Sequence, residues 1–233
     1  MTVPAVLAGA KMALSRLMRV RTVVTFVVAI VAVLVIAIIE RAATSAGAAD
    51  RTLAAVFRFI IPISVVVLSG TVTGSMNLRE SAWPASRFGH PRSSVALGIV
   101  LTSAVAAIAL AVVASLVALV AARAGVEPAR AALPFASDLL TTGWIAILAG
   151  GAYAAFLGLG ATFGKKGGGR LAFLLVDFFL GGAGTAGVIL PRGGITHLIG
   201  GEAPFGLPQA ASSAIVPAVA ILCLALGSLR CRD

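Results

Sequence analysis

One acidic residue lies inside an apolar stretch of this chain and is the first candidate for chemistry. Asp177 stands in LLVDFFL, about six residues, or roughly 9 Å of helix, from the start of that stretch. A charged Asp inside a membrane helix costs about 2.5–3.5 kcal/mol on insertion scales, so such residues are candidates for function. Two interpretations remain open. Asp177 is either a neutral or snorkelling residue that hydrogen-bonds a neighbouring helix, or a site for a proton or a substrate.

Arg58 is the other charge within an apolar stretch, in VFRFIIPISVVVL. A long basic side chain can extend to the membrane interface and keep its charge in water. The alternative is that Arg58 faces the headgroup of a substrate. Arg58 and Asp177 enter their stretches from opposite sides, so no direct ion pair between them is expected.

The glycine-rich stretch GLGATFGKK at 158–166 superficially resembles a phosphate-binding loop. That loop needs Gly, four residues, then Gly-Lys and a hydroxyl residue. Here the earlier glycines precede Gly164 by six and four residues, and Lys166 occupies the place of the hydroxyl. The sequence therefore predicts a basic turn and no ATP site in this chain.

No other motif supports catalysis or a metal site. His90 and His197 are isolated, and no Ser/His or paired-carboxylate arrangement is present. Cys223 and Cys231 lack metal-ligand spacing and belong to a reducing compartment, so no disulfide is expected. We predict a chain that is not an enzyme and that binds no metal or cofactor of its own.

Composition indicates which elements must position these residues. The 233 residues have a mean hydropathy of +1.08, and only 11% are charged. Several runs reach the 18 apolar residues needed to cross roughly 30 Å of hydrocarbon. The chain is predicted to be an all-α integral membrane protein with a single transmembrane domain, 1–233. The predicted spans are about 22–39, 53–78, 95–122, 139–163, 171–190 and 210–229.

Charge alternates along the segments that these six spans separate. The odd-numbered segments carry net charges of +4, +2, +3 and +1, and the three between them carry zero. Lys and Arg collect on the cytoplasmic side of inserted helices, so both termini are predicted to be cytoplasmic. The net charge of +10 thus reflects topology and anionic lipid headgroups, not nucleic-acid binding. The Ala-, Gly- and Arg-rich composition favours a bacterial inner membrane.

Two further elements are expected outside the spans. Residues 5–20 (AVLAGAKMALSRLMRV) place basic and apolar side chains on different arcs, which predicts an amphipathic helix in the cytoplasmic interface. A simple basic flank to the first span is the alternative. Residues 194–209 are half apolar, interrupted by Gly and Pro, and too short to span. A small broken external helix or re-entrant element is predicted there.

The segment between the second and third spans, RESAWPASRFGHPRSS at 79–94, is the most informative local feature. Its start favours a short helix, which Pro84, Gly89 and Pro91 then end. Trp83 and Phe88 are large aromatics in a polar segment, and aromatics beside Arg commonly anchor protein interfaces. The alternative is that both aromatics sit at headgroup level as membrane anchors.

This layout resembles the membrane subunit of type-2 ABC exporters. That family has an N-terminal interfacial helix, six spans, a short coupling helix after the second span and a broken external element before the sixth. Its coupling segment has an acidic residue, Gly-Thr and a Pro-small-Ser-Arg ending. This chain has Glu80 and PASR at 84–87 but lacks the Gly-Thr. The tail SLRCRD at 228–233 is similar to the family's arginine-rich ending.

The resemblance implies a permease subunit that forms the translocation path, pairs with a second copy or a homologous subunit, and docks on a separate cytoplasmic ATPase. ATP and Mg²⁺ would then be bound by that partner. By position, the docking residues would be Arg79, Glu80, Trp83, Ser86, Arg87 and Arg92. The alternatives are a subunit of a haem-exporter-like or other membrane assembly, and a secondary transporter or channel that uses Asp177. The uniformly apolar spans favour a lipid-like or amphipathic cargo.

Overall fold

The computed structural model describes residues 2–43, 47–124, 134–182 and 184–232, and within these ranges the protein is helical without strands. The helices of the described residues are α1 (Val3–Leu17), α2 (Val20–Ala43), α3 (Ala48–Val72, with a π-helical turn at Val56–Ile60), α4 (Leu78–Ser86), α5 (Arg92–Arg123), α6 (Phe135–Gly160), α7 (Gly169–Leu180), α8 (Pro191–Leu198) and α9 (Gln209–Arg230). Most of the predicted neutral loop at 123–138 lies outside the described residues.

In the part of the chain that the structure describes, five helices are long and apolar enough to cross a membrane: α2, α3, α5, α6 and α9. They overlap the first, second, third, fourth and sixth predicted spans, although α3 begins about five residues and ends about six residues before the predicted 53–78 span. Large apolar side chains such as Val28, Val105 and Ile221 are exposed on their outer faces. Such faces are stable in hydrocarbon and not in water. The chain is therefore a multi-pass, all-helical membrane protein.

The fifth apolar stretch differs from the continuous 171–190 segment expected. Helix α7 ends at Leu180 after 12 residues, roughly 18 Å, which is less than the thickness of the hydrocarbon layer. Gly181 donates the last helical hydrogen bond to the Asp177 carbonyl at 2.8 Å. A glycine-rich segment and a 3₁₀ turn at Thr185–Val188 follow. Hydrophobicity alone did not reveal this break, because glycines are apolar yet favour irregular backbone.

The segment before α9 is broken, as its Gly and Pro content predicts. Pro191 stands in the first turn of α8, where a missing N–H is harmless. A 3₁₀ turn at Pro204–Gly206 follows before α9 begins at Gln209.

The core lies between α5 and α6, with α3 and α9 packed around them. Gly150 lets α6 approach the backbone of α5, because a Cβ there would lie 2.6 Å from the Cα of Ile108. Tyr153 on the same helix is fully buried. Glycine at such crossings allows the close backbone contact that drives helix association in lipid.

Helix α1 packs its small-residue face against α5. Ala5, Gly9 and Ala13 are buried, whereas Leu7 and Leu14 on the opposite side are exposed. The crossing relies on Gly9 and Gly98 together: a Cβ on Gly9 would overlap the Val95 carbonyl, and one on Gly98 would overlap the Val6 carbonyl. The amphipathic character read from residues 5–20 thus corresponds to a helix with one packed face and one exposed face.

Candidate functional site

Helix α4 is a short amphipathic helix whose two faces have different environments. Leu78, Ser81, Ala82 and Ala85 are buried against the bundle. The predicted docking residues that it carries or precedes lie on the other side. Arg79, Glu80, Trp83 and Arg87 are exposed, and Ser86 and Arg92 are half-buried. The structure thus brings all six together on one short stretch of surface.

The start of α4 is fixed by a capping box. The Asn77 side chain accepts a hydrogen bond from the Arg79 backbone N–H at 2.9 Å, and the Asn77 N–H donates to the Glu80 carboxylate at 3.3 Å. This pairing satisfies donors that a helix start otherwise leaves free. Glu80, predicted as a docking residue, therefore also holds its own helix. The sequence signal was Asn followed three residues later by Glu.

Helix α4 is tied to the turn between α6 and α7. The Leu78 N–H donates to the Ala161 carbonyl at 3.0 Å. The Asn77 side-chain amide donates to the carbonyls of Thr162 and Gly164 at 3.1 and 3.0 Å. Because the start of α4 makes three hydrogen bonds to backbone carbonyls of residues 161–164, displacement of α4 would pull that segment with it.

Two arginines hold the chain between α3 and α4. Arg16 of α1 donates to the Val72 carbonyl at 2.8 Å and to the Ser81 hydroxyl. Arg170 of α7 donates to the Thr73 hydroxyl at 2.6 Å and to the Met76 carbonyl. The Val72 carbonyl at the C-terminus of α3 carries partial negative charge, which stabilises the Arg16 cation there. Burial and the charge of Arg19 lower the pKa of Arg16 from its ordinary value.

The four connected segments are α1, α4, the 73–76 turn and the 161–170 turn, and we call them the basic end of the bundle. From the sequence, Arg16 was one residue of the basic arc at 5–20 and Arg170 a topological charge, and Asn77 was not singled out. Their hydrogen-bond partners are 56 to 97 residues away, so no local pattern could identify them.

The exposed face of α4 combines a stacked cation with an open groove. The Arg87 guanidinium lies 3.7 Å from the centre of the Trp83 ring, which restrains both side chains. Ser86 donates to the Trp83 carbonyl at 2.7 Å and accepts from Arg92 at 3.4 Å. A groove of about 470 Å³ opens here, lined by Met76, Arg79, Glu80, Trp83 and Arg92.

Asp177 forms a second polar centre, away from the basic end. Its carboxylate accepts one hydrogen bond from the Tyr153 hydroxyl at 3.1 Å and one from the Arg192 backbone N–H at 3.0 Å. Arg192 lies in the first turn of α8, so Asp177 caps that helix from α7. A carboxylate at a helix N-terminus is favoured by the exposed N–H groups and the helix dipole.

Replacing Asp177 by Ala is expected to destabilise the chain by about 2–4 kcal/mol. The substitution leaves the buried Tyr153 hydroxyl and the Arg192 N–H without their partner, and each unpaired buried group costs about 1–3 kcal/mol. Tyr153→Phe leaves one carboxylate oxygen without its donor and keeps the Arg192 bond, so it is expected to cost about half as much. Thermal unfolding of both variants in one detergent measures the difference; equal midpoints for Asp177→Ala and wild type would contradict the capping role.

The glycine-rich turn, His197 and the two cysteines lie in surroundings that indicate no catalytic or metal-binding role. A phosphate-binding loop follows a β-strand, whereas the Lys165–Gly167 turn follows helix α6. His197 lies beside the Ser212 hydroxyl at 2.9 Å. Both cysteines are free thiols, and burial raises the pKa of Cys231 to about 11. Among the described residues no three His, Cys, Asp or Glu side chains are grouped for a metal.

In comparisons with known proteins, no family model, no curated protein and no solved structure matches the chain.

Proposed function

We propose that the chain is the membrane permease subunit of an ATP-driven exporter, docked through α4 on a separate cytoplasmic ATPase. One observation carries the proposal. A nine-residue helix has one face anchored in the bundle and presents Arg79, Trp83 and Arg87 on the other. A helix of this length contributes little to a membrane core, whereas rigid Trp and Arg side chains beside a groove suit a protein interface.

The proposed topology has the basic end in the cytoplasm of a bacterial cell. The positive charge of the segments there supports this orientation, with α7, the 181–190 segment and α8 forming an interrupted fifth passage. Irregular backbone at membrane depth is tolerated where protein encloses it. A second copy or a homologous subunit would complete the path.

The contacts of α4 provide a route for motion. ATP-driven closure of the partner would displace α4 as a rigid body. Arg16 links that movement to α1, and Asn77 links it to the 161–164 segment. Arg170 connects the 73–76 turn to α7, which leads to the broken segment. The chain therefore contributes a path and a mechanical linkage, and the partner contributes ATP and Mg²⁺ chemistry.

A secondary transporter or channel that uses Asp177 is the second candidate, since the residue is buried inside the bundle. The geometry favours it less. Both carboxylate oxygens already accept hydrogen bonds from the protein. A proton or ion site in a transport path needs access to water or to an ion, which this arrangement restricts.

Substitution of Asp177 by Asn separates the two candidates. Asn keeps an oxygen for one of the two donors, so fold and partner binding are expected to be retained. We expect Asp177→Asn to co-purify with the same ATPase as wild type from mild detergent, and to move cargo in an ATP-dependent way. Loss of proton-coupled flux in the absence of any ATPase would support the secondary transporter instead. Tyr153→Phe is the control for loss of one hydrogen bond without loss of the carboxylate.

A further inference from the structure

A π-helical turn in α3 places a cation within the apolar part of the bundle. The Ile61 N–H bonds to the Val56 carbonyl, five residues earlier. Pro62 explains the wider turn, because it lacks an N–H and its ring would clash with the Arg58 carbonyl. Arg58 lies seven residues beyond Arg51, or roughly 10 Å along the helix. π-turns within α-helices are frequent at functional sites.

A second arginine reaches this turn from α8. The Arg192 guanidinium lies 4.4 Å from the centre of the Phe178 ring and 5.6 Å from that of Phe59. The two rings are themselves 5.6 Å apart. Arg192 Nη1 donates one hydrogen bond, to the Phe178 carbonyl at 3.1 Å. The π turn, the end of α7 and the start of α8 therefore meet around the Arg192 guanidinium, which lies beside both aromatic rings.

The positive charge at this junction exceeds the negative charge. Asp177 is the acidic residue beside it, and its oxygens bond to the Tyr153 hydroxyl and a backbone N–H. Within the described residues no salt bridge joins Arg58 or Arg192 to a carboxylate. Both side chains are half-buried, so each keeps an accessible part. Two guanidinium groups beside one carboxyl group leave a net positive charge, and a net positive charge in a low-dielectric setting favours an anionic ligand.

Apolar surface continues from the two arginines. The exposed large side chains on α3 and α7 nearby are Phe59, Ile63, Leu175, Phe178 and Phe179. A ligand complementary to both the guanidinium groups and the apolar side chains has an acidic head and a hydrocarbon chain. In the proposed topology Arg51, which pairs with Glu40 at 2.6 Å, stands near the outer interface, and Arg58 lies roughly 10 Å further along the helix toward the hydrocarbon. In that topology the head of a resident phospholipid would stay near Arg51, whereas a transported molecule would pass Arg58.

We propose that Arg58, Phe59, Phe178 and Arg192 bind an anionic amphiphile as the transported cargo. The acidic head contacts the two guanidinium groups, and the hydrocarbon chain lies along the exposed apolar side chains of α3 and α7. This assignment rests on the proposed export function and names the chemical class of its substrate. It gives Arg58 the substrate-facing role and leaves Asp177 as the residue that positions Arg192.

Binding of matched probes to the full chain tests the proposal. The chain is placed in nanodiscs of phosphatidylcholine and titrated with a fluorescent long-chain fatty acid and with its methyl ester. The acid is expected to bind at least tenfold more tightly than the ester. Arg58→Gln and Arg192→Gln are each expected to weaken binding of the acid about tenfold, as loss of a charged hydrogen bond predicts. Lysine at either position is expected to restore most of the affinity.

Arg51→Gln is the matched control, since it removes the same charge at the outer end of the same helix. Elution of every variant as a single species in size-exclusion chromatography shows that it is folded. Equal binding of acid and ester, or an equal effect of Arg51→Gln, would overturn the proposal. So would displacement of the fatty acid by phosphatidylglycerol in the nanodisc, because the site would then hold bulk lipid.

The two proposals fail in different ways. The titration uses the chain without an ATPase, so it reads the arginine site alone. Tight binding of the acid by a chain that never associates with an ATPase would retain the site and overturn the export function. Association with an ATPase, combined with equal binding of acid and ester, would retain export and overturn the anionic cargo.

Discussion

The double substitution of Trp83 by Ala and Arg87 by Glu is expected to lower co-purification of the ATPase partner at least a hundredfold. These side chains stack at 3.7 Å on the exposed face of α4. Interface Trp and Arg residues are the commonest hot spots, each worth about 2 kcal/mol or more on truncation, and 1.4 kcal/mol is a factor of ten in affinity. The measurement is the yield of partner recovered with the tagged chain in mild detergent.

Arg19→Glu is the control for this experiment. Arg19, two residues after α1, is also an exposed cation but does not lie on α4. Its reversal is expected to change partner recovery less than threefold, apart from an effect of ionic strength. If Arg19→Glu matched the double variant, attraction would be diffuse and α4 would not be the docking element. If the double variant kept its partner and lost membrane anchoring, Trp83 would be a headgroup anchor.

Replacing Gly98 by Ala is expected to destabilise the bundle by about 3 kcal/mol. The added methyl would overlap the Val6 carbonyl and lie 2.9 Å from the Ala10 nitrogen, so α1 must move away from α5. Overpacking against backbone is costly because backbone cannot change rotamer. The displaced α1 carries Arg16, so the bond to Ser81 on α4 is expected to be lost as well. The thermal midpoint in detergent measures the loss.

Gly143→Ala is the control substitution. Gly143 lies in α6, and a Cβ at this position would have no neighbouring atom within 4 Å. Ala is also the better helix former by up to about 1 kcal/mol. The thermal unfolding midpoint of Gly143→Ala is expected to equal that of wild type or to be higher. Gly9→Ala is expected to reproduce Gly98→Ala, and the two together to be less than additive because they disrupt one crossing. A midpoint of Gly98→Ala equal to wild type would show that α1 is not tightly packed.

Much of the fold follows from the sequence because long apolar runs have few alternatives in a membrane. The spans that became α2, α3, α5, α6 and α9 were readable from length and hydropathy. The end of α7 was not, since Gly181 and the glycines after it score as apolar while the chain there turns. The π turn was not predicted either. Predicting it requires noticing that Pro62 would clash with the carbonyl of Arg58, four residues earlier.

Only the part of the candidate site that lies within one short segment could be predicted from the sequence. The α4 segment was identified from its charged start, its aromatics, and the Gly89 and Pro91 that follow it. The expectation that Pro84 ends the helix was wrong, since Pro84 lies inside α4 and the helix continues to Ser86. The partners of Asp177 were not, because Tyr153 precedes it by 24 residues and Arg192 follows it by 15. Such pairs arise only when the helices are assembled. The same holds for Arg170, which the sequence presents as one more basic residue of a turn.

The central claim is that the exposed face of α4 contacts an ATPase, and photo-crosslinking in living cells tests it most directly. A photoreactive amino acid replaces Arg79 in one strain and Val105, exposed on α5, in another. We predict that the Arg79 position yields an adduct with a protein that carries a phosphate-binding loop, and that the Val105 position does not. Adducts from Arg79 with lipid or with another copy of this chain, and none with an ATPase, would contradict the proposed function.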